Sequence, residues 1–341
     1  KNNKSANQGA GLYISGSTLV MNSGTITGNS TTGNGEGGAV ILWQSTATIK
    51  AGTISNNTAN ANGGAIFSGC QTANTTLNIS GGTFSGNKAN GGGGAIVVRS
   101  DNKSTCTATV NVTGGNFTSN SGSYGGAIAL TRATGNFSNV TFSNNTVTYR
   151  GGAINVDESS LAYFKTGANF TGNTAPAAGA IHVSNSSTMH FQGASVSNNK
   201  ATSESGGAIV VFRSNGNISS GTINGNTAKQ FGGGVFYTDN STGTISGGTI
   251  SGNTAQWGGG VSVWGSSAFY FKGGTIQNNT ANSNAGGIDV NNSALYMQGG
   301  NVLNNKCNTA NQYGGIFVTD NSTYSYTSGN ISGNTPLNSN K

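Results

Sequence analysis

A four-residue element, Gly-Gly-Ala-Ile, opens at Gly63, Gly93, Gly125, Gly151 and Gly206, and with Val for Ile at Gly37. It returns as Gly-Gly-Gly-Val at Gly232 and Gly258, and in shortened form at Gly9, Gly179, Gly286 and Gly314. Each copy closes with an apolar residue three positions before an Asn, as in Ile26…Asn29, Phe84…Asn87, Phe170…Asn173, Ile250…Asn253 and Ile331…Asn334. Copies recur about every 26–32 residues, about twelve times in all, which is the period range of solenoids and arrays. A repeat this short cannot bury a core by itself, so each copy has to stack on its neighbours.

Within a copy the apolar residues fall in columns with a period of two, the mark of a strand. Val40 and Leu42 head the first column, followed by Ile96 and Val98, Ile128 and Leu130, Ile154 and Val156, and Ile288 and Val290. A polar turn follows, usually on Asp or Asn, which bond their own backbone in turns. A second strand carries one large inward residue per copy: Met21, Ile49, Ile79, Val112, Phe137, Phe164, Phe191, Ile218, Ile245, Phe271, Met297 and Tyr326. After a Gly-rich corner, a third strand of the Thr-Ile-Ser type leads to the closing Asn. Three strands per coil, three corners and no helical periodicity predict an all-β fold, a single-stranded parallel β-helix of about twelve coils. The usual rule for parallel crossovers makes it right-handed. Residues 1–341 read as a single β-helix domain. The opening Lys1-Asn2-Asn3-Lys4 aligns with Ser197-Asn198-Asn199-Lys200, so the expected start lies mid-coil, in a fragment of a longer chain.

Asn29, Asn57, Asn87, Asn120, Asn145, Asn173, Asn199, Asn226, Asn253, Asn279, Asn305 and Asn334 are expected to stack as a ladder of side-chain amides. Stacked coils repeat at about the strand spacing, 4.8 Å. Cys70 and Cys106 lie in neighbouring copies lengthened by insertions, and a disulfide between them is expected. Cys307 has no evident partner.

The pairing of Gly63-Gly64-Ala65-Ile66 with Phe84-Ser85-Gly86-Asn87, and of Gly125-Gly126-Ala127-Ile128 with Phe142-Ser143-Asn144-Asn145, resembles the repeats of chlamydial polymorphic outer-membrane proteins and related adhesin-like β-helix proteins. Ile or Val often stands where that pattern has Phe. The resemblance covers essentially the whole chain. It implies a secreted or surface-displayed passenger with adhesive or structural use.

The function classes follow from what the chain is made of. Only 7% of residues are charged and the net charge is +7, from basic residues spread thinly. Nucleic-acid binding would cluster them on one face; none is expected. No run approaches the 18 apolar residues of a membrane helix. The acidic residues Glu36, Asp101, Asp157, Glu158, Glu204, Asp239, Asp289 and Asp320 are scattered, whereas polysaccharide lyases and hydrolases need carboxylates close together. His182 reads as a solvent-facing residue of the first strand. No catalytic set, metal site or cofactor is expected, and a polysaccharide-binding or polysaccharide-degrading β-helix is the alternative.

The outward side of the first strand carries Tyr13, Ile41, Trp43, Phe67, Val97, Val210, Phe212, Phe236, Trp264 and Phe317. It reads as an exposed apolar ridge, and contiguous exposed apolar area marks interaction sites. The expected partners are other copies of the chain, side by side or end to end, or host and matrix glycans. The third strand presents rows of hydroxyls, Thr25 and Thr27, Thr53 and Ser55, Thr83 and Ser85, which resemble an ice-binding face; that is the second alternative. Of many Asn-x-Ser/Thr sequons, Asn102, Asn185, Asn240 and Asn321 sit on first turns and are the candidates for glycosylation.

Overall fold

The computed structural model describes residues 1–101 and 105–341. It divides into two units, Lys1–Asn173 and Thr174–Lys341, each a stack of parallel coils. Every coil crosses three sheets. In the first unit the sheet of first strands runs Leu12–Ser15, Val40–Trp43, Ile66–Cys70, Ile96–Ser100, Ile128–Thr131 and Ile154–Asp157. Register is strict: Ile66 faces Val40 on one side and Ile96 on the other, and Ile96 faces Ile128. The inward aliphatic column, Val40 and Leu42 to Ile154 and Val156, is fully buried. The second unit repeats this from Ile181–Ser184 through Ile209–Phe212, Val235–Thr238, Val261–Trp264 and Ile288–Asn291 to Tyr313–Val318.

The second and third strands of a coil share one sheet. The Gly-rich corner between them is a bend inside that sheet; in Thr188–Ser197, Asn215–Asn224, Ala294–Leu303 and Thr323–Ser332 the strand runs straight through it. The remaining sheet is built from short strands just after the ladder Asn, such as Thr58–Ala59, Lys88–Ala89 and Thr227–Ala228. Two residues carry no readable period, so alternation does not reveal these strands. Their inward residue is small: Ala201, Ala228 and Ala255 pack together, and buried Cys307 takes the same place opposite Ala281.

The two glycines of the repeat have different reasons to be glycine. At Gly63 φ is +67°, a left-handed conformation that side chains resist. At Gly64 a Cβ would lie 2.1 Å from the Gly94 carbonyl oxygen, so the backbone of the next coil leaves no room. Core size is balanced across columns in the same way. Tyr237 enters the core where an aliphatic residue would stand, and Gly216 and Gly243 of the neighbouring column make the space; a Cβ at Gly243 would be 2.7 Å from its ring. The Tyr237 hydroxyl donates to the Gly216 carbonyl at 3.3 Å, and burial pushes its pKa up.

In the first unit the closing aromatic column stacks: Phe84 on Phe117 at 4.5 Å, Phe117 on Phe142 at 5.1 Å and Phe142 on Phe170 at 4.8 Å. These offset pairs add to the stabilisation from burial. Cys70 and Cys106 form a disulfide that closes 36 residues of sequence.

Candidate functional site

Beside each closing aromatic or aliphatic residue the ladder asparagines are buried. In the first unit the Asn57 backbone N–H and Nδ2 both donate to Asn87 Oδ1, at 3.1 and 3.0 Å. Asn87 does the same to Asn120, and its Nδ2 also donates to the Ile54 carbonyl at 2.9 Å. The pattern runs from Asn29 to Asn173, and in the second unit from Asn199 through Asn226, Asn253, Asn279 and Asn305 to Asn334. Buried polar groups this well satisfied hold a structure in register; they leave nothing over for a ligand. Chemistry has to come from the outward rows.

The outward side of the first strand is not the exposed ridge that alternation predicts. Ile41, Phe67, Val97 and Val210 are at most 5% exposed. Trp43, Phe212, Phe236, Trp264 and Phe317 are half-buried, and Tyr13 is 54% exposed. His182, expected in solvent, is only 3% exposed. The cause is the left-handed residue that opens most repeats, a glycine in the full copies and Ala178 or Ala285 in two of the shortened ones. Its positive φ turns the chain back, so the residues just before the strand form a ledge over its outward side. In the first unit that ledge is Glu36, Asn62, Gly92, Tyr124 and Arg150, linked coil to coil by backbone bonds such as Gly37 N–H to the Asn62 carbonyl and Gly63 N–H to the Gly92 carbonyl. Ile41, Phe67, Val97 and Ala129 cluster beneath it, with Trp43 against them.

Polar groups lock this ledge. Arg99 lies over the Phe67 ring at 4.9 Å, bonds Glu36 at 3.2 Å and bonds Asp101 at 2.7 Å. Asn62 Nδ2 donates to the same Glu36 oxygen at 3.1 Å. Arg132 pairs with Glu158. Three of the scattered carboxylates are thus held in ion pairs with arginine. At Gly92 the ledge has no side chain, and a cavity of about 160 Å³ opens over Val97 and Ala129. A second cavity, about 460 Å³, is lined by core residues of the first coils, Leu12, Leu19, Met21, Ile26, Val40 and Leu42 among them. Its lining is mostly apolar, with Asn22, Ser23 and Thr25 as the polar residues.

In the second unit the ledge is Ser205, Phe231, Trp257 and Asn284. Phe231 stacks on Phe236 at 5.5 Å and on Trp257 at 4.9 Å, and meets Trp264 at 4.0 Å. The Trp264 indole N–H donates to Asp289 Oδ2 at 2.8 Å. Asp289 is 2% exposed, and burial raises its pKa to about 7 against the pull of the indole bond. The sequence places Asp289 among the scattered acids and does not mark it as buried. The available signal was an acid between two core aliphatics, Ile288 and Val290, one coil beyond Trp264.

Asn185, Asn240 and Asn321 are exposed at their turns; Asn321 accepts a bond from Thr319 Oγ1 at 2.6 Å. Asn102 lies outside the described residues. Among the described residues no three His, Cys, Asp or Glu side chains gather as a metal site. Among them, too, no helix is long and apolar enough to cross a membrane.

Two family models match. That of the right-handed β-helix region covers residues 133–276, and that of the Chlamydia polymorphic membrane protein repeat covers residues 52–69 and 81–99. Each repeat match joins a closing motif to the next Gly-Gly-Ala-Ile, from Ile54 to Ile66 and from Phe84 to Ile96, so it spans the ladder Asn and the ledge between them. No curated protein and no solved structure matches. The chain is thus a right-handed parallel β-helix that is similar, over residues 52–69 and 81–99, to the Chlamydia polymorphic membrane protein repeat.

Proposed function

We propose that this chain is a non-catalytic segment of a secreted or cell-surface β-solenoid that works by adhesion, through its outward rows, to host or matrix glycans or to further copies of itself. The observation that carries the reading is the match of residues 52–69 and 81–99 to the Chlamydia polymorphic membrane protein repeat. Two features of the molecule support it. The Cys70–Cys106 disulfide fits an oxidising exterior. The buried polar groups of the repeat are spent on the inter-coil Asn ladder. Glu36, Asp101 and Glu158 being held by Arg99 and Arg132 further favours a scaffold over a polysaccharide-degrading enzyme.

A second reading, ice binding, draws on one observation. In the first unit the hydroxyl rows are in register from Thr25 and Thr27 through Thr53 and Ser55 to Thr83 and Ser85, then continue through Asn116 and Thr118 and Thr141 and Ser143 to Asn169 and Thr171. Gln277 and Leu303 interrupt the corresponding row of the second unit.

Beads coated with the chain are expected to adhere to glycan-presenting surfaces or to one another. Beads that stay dispersed and bind no glycan surface, in a solution showing thermal hysteresis, would replace adhesion with ice binding.

A further inference from the structure

We propose that the opening at Gly92 in the first unit is a subsite for a single neutral hexopyranose ring. This deepens the adhesive reading and rests on it. The cavity, about 160 Å³, is below the roughly 300–1,000 Å³ of drug-sized sites and suits one ring.

Two small residues create it. Gly92 leaves the ledge open, and Ala129 lowers the floor beside Val97. A Cβ at Gly92 would touch the Ala129 Cβ at 3.4 Å, so any longer side chain would occupy the space. Its backbone lies outside the left-handed region, so no strain obliges this residue to be glycine.

What lines the cavity matches the two-sided character of a sugar. Val97 and Ala129 offer an apolar floor to ring C–H groups. Tyr124, 42% exposed, forms a wall, and its ring is backed by Tyr149 at 5.3 Å, nearly parallel at 14°. An aromatic face so held is ready for stacking. Asn62, Arg99, Thr131, Asn155 and Asp157 bring amide, guanidinium, hydroxyl and carboxylate groups to the rim, which suit hydroxyls that both donate and accept. Asn62 and Arg99 are already oriented. Asn62 Oδ1 accepts from the Gly92 N–H at 2.9 Å, and Arg99 is fixed by Glu36, Asp101 and Phe67. Groups held in place before binding lose little freedom on binding.

The charge balance selects among sugars. Among the residues that line the cavity Arg99 and Asp157 carry opposite charges, so the lining has no net charge. A lining without net charge suits a neutral sugar better than an acidic one.

The test is saturation-transfer NMR on the full 341-residue chain with the methyl glycosides of galactose, mannose and N-acetylglucosamine, and with N-acetylneuraminic acid. At least one neutral glycoside is expected to bind, weakly as a single ring does. Its signal is expected to fall at least tenfold in Gly92→Leu, which fills the cavity, and in Tyr124→Ala, which removes the wall from an exposed position. Circular dichroism confirms that each variant is folded. The proposal is overturned if no neutral glycoside binds, if Gly92→Leu binds as well as the parent, or if N-acetylneuraminic acid binds best. Bead adhesion separates the two levels. Glycoside binding unchanged in Gly92→Leu, with parent and variant beads adhering equally, would remove the subsite and leave adhesion standing. Glycoside binding lost in Gly92→Leu, with no adhesion by parent beads, would keep the subsite and remove the adhesive role.

Discussion

In the Lys1–Asn173 unit the corner between first and second strands is held by a covalent bond; in the Thr174–Lys341 unit it is held by serines. From Ser187 through Ser214, Ser241, Ser267 and Ser293 to Ser322, each backbone N–H donates to the next hydroxyl, at 3.1–3.3 Å. Such a ladder needs coils that match at the corner, and its first four steps are 27, 27, 26 and 26 residues. The first unit keeps only parts of it, Ser17 to Ser45 and Ala133 to Ser160. Between these the coils lengthen, with Asn ladder steps of 30 and 33 residues, and Cys70–Cys106 closes the longer corner. A solenoid can therefore accept insertions at one corner while another corner, here the Asn ladder, keeps the register.

The sharpest way to break this contrast is to attack what the units share. Asn120→Ala and Asn253→Ala each remove an acceptor from two buried donors of the preceding coil. A buried donor left unsatisfied costs about 1–3 kcal/mol, so each variant should lose about 4 kcal/mol. Native-state hydrogen exchange should show similar losses in both units. A large effect in one unit alone would mean that the ladder is not the common frame.

Next comes the covalent corner. Cys106→Ser should cost about 3–4 kcal/mol for a loop of this length, seen as faster exchange in the first unit and unchanged exchange in the second.

The buried acid of the second unit gives the pH arm. The Asp289 pKa is raised from 3.8 to about 7 in the folded state, so the unfolded chain ionises first. Its contribution is most favourable below pH 3.8, declines as pH rises toward 7, and is level above. The change should be on the order of 4 kcal/mol. Asp289→Asn should flatten the urea midpoint of the second unit across that window; an unaltered slope would refute the assignment.

Smallest is Ser241→Ala, which removes one rung, worth about 1 kcal/mol. A loss as large as that of Asn253→Ala would show the serine ladder to be an equal partner.

Much of this was legible from the repeat. The period-2 columns identified the inward faces because Val40, Leu42, Ile96 and Val98 must leave water, and the invariably placed Asn marked an amide stack. The outward side was misread for a definite reason. Alternation says on which side of a strand a residue stands, and says nothing about whether another segment covers it. Ile41 and Phe67 point away from the core and are buried all the same.

The sequence by itself determined the coil: its period, its inward columns and its glycines are local consequences of φ, side-chain size and hydrophobicity. Tertiary structure decided the surface. Whether Gly92 is merely a glycine or an opening depends on Ala129 37 positions away and on the ledge above it. Whether Asp289 is one more outward carboxylate or a buried acid depends on Trp264 one coil before. Those are relations between coils, and the physics that sets them, burial and desolvation, exists only once the coils have stacked.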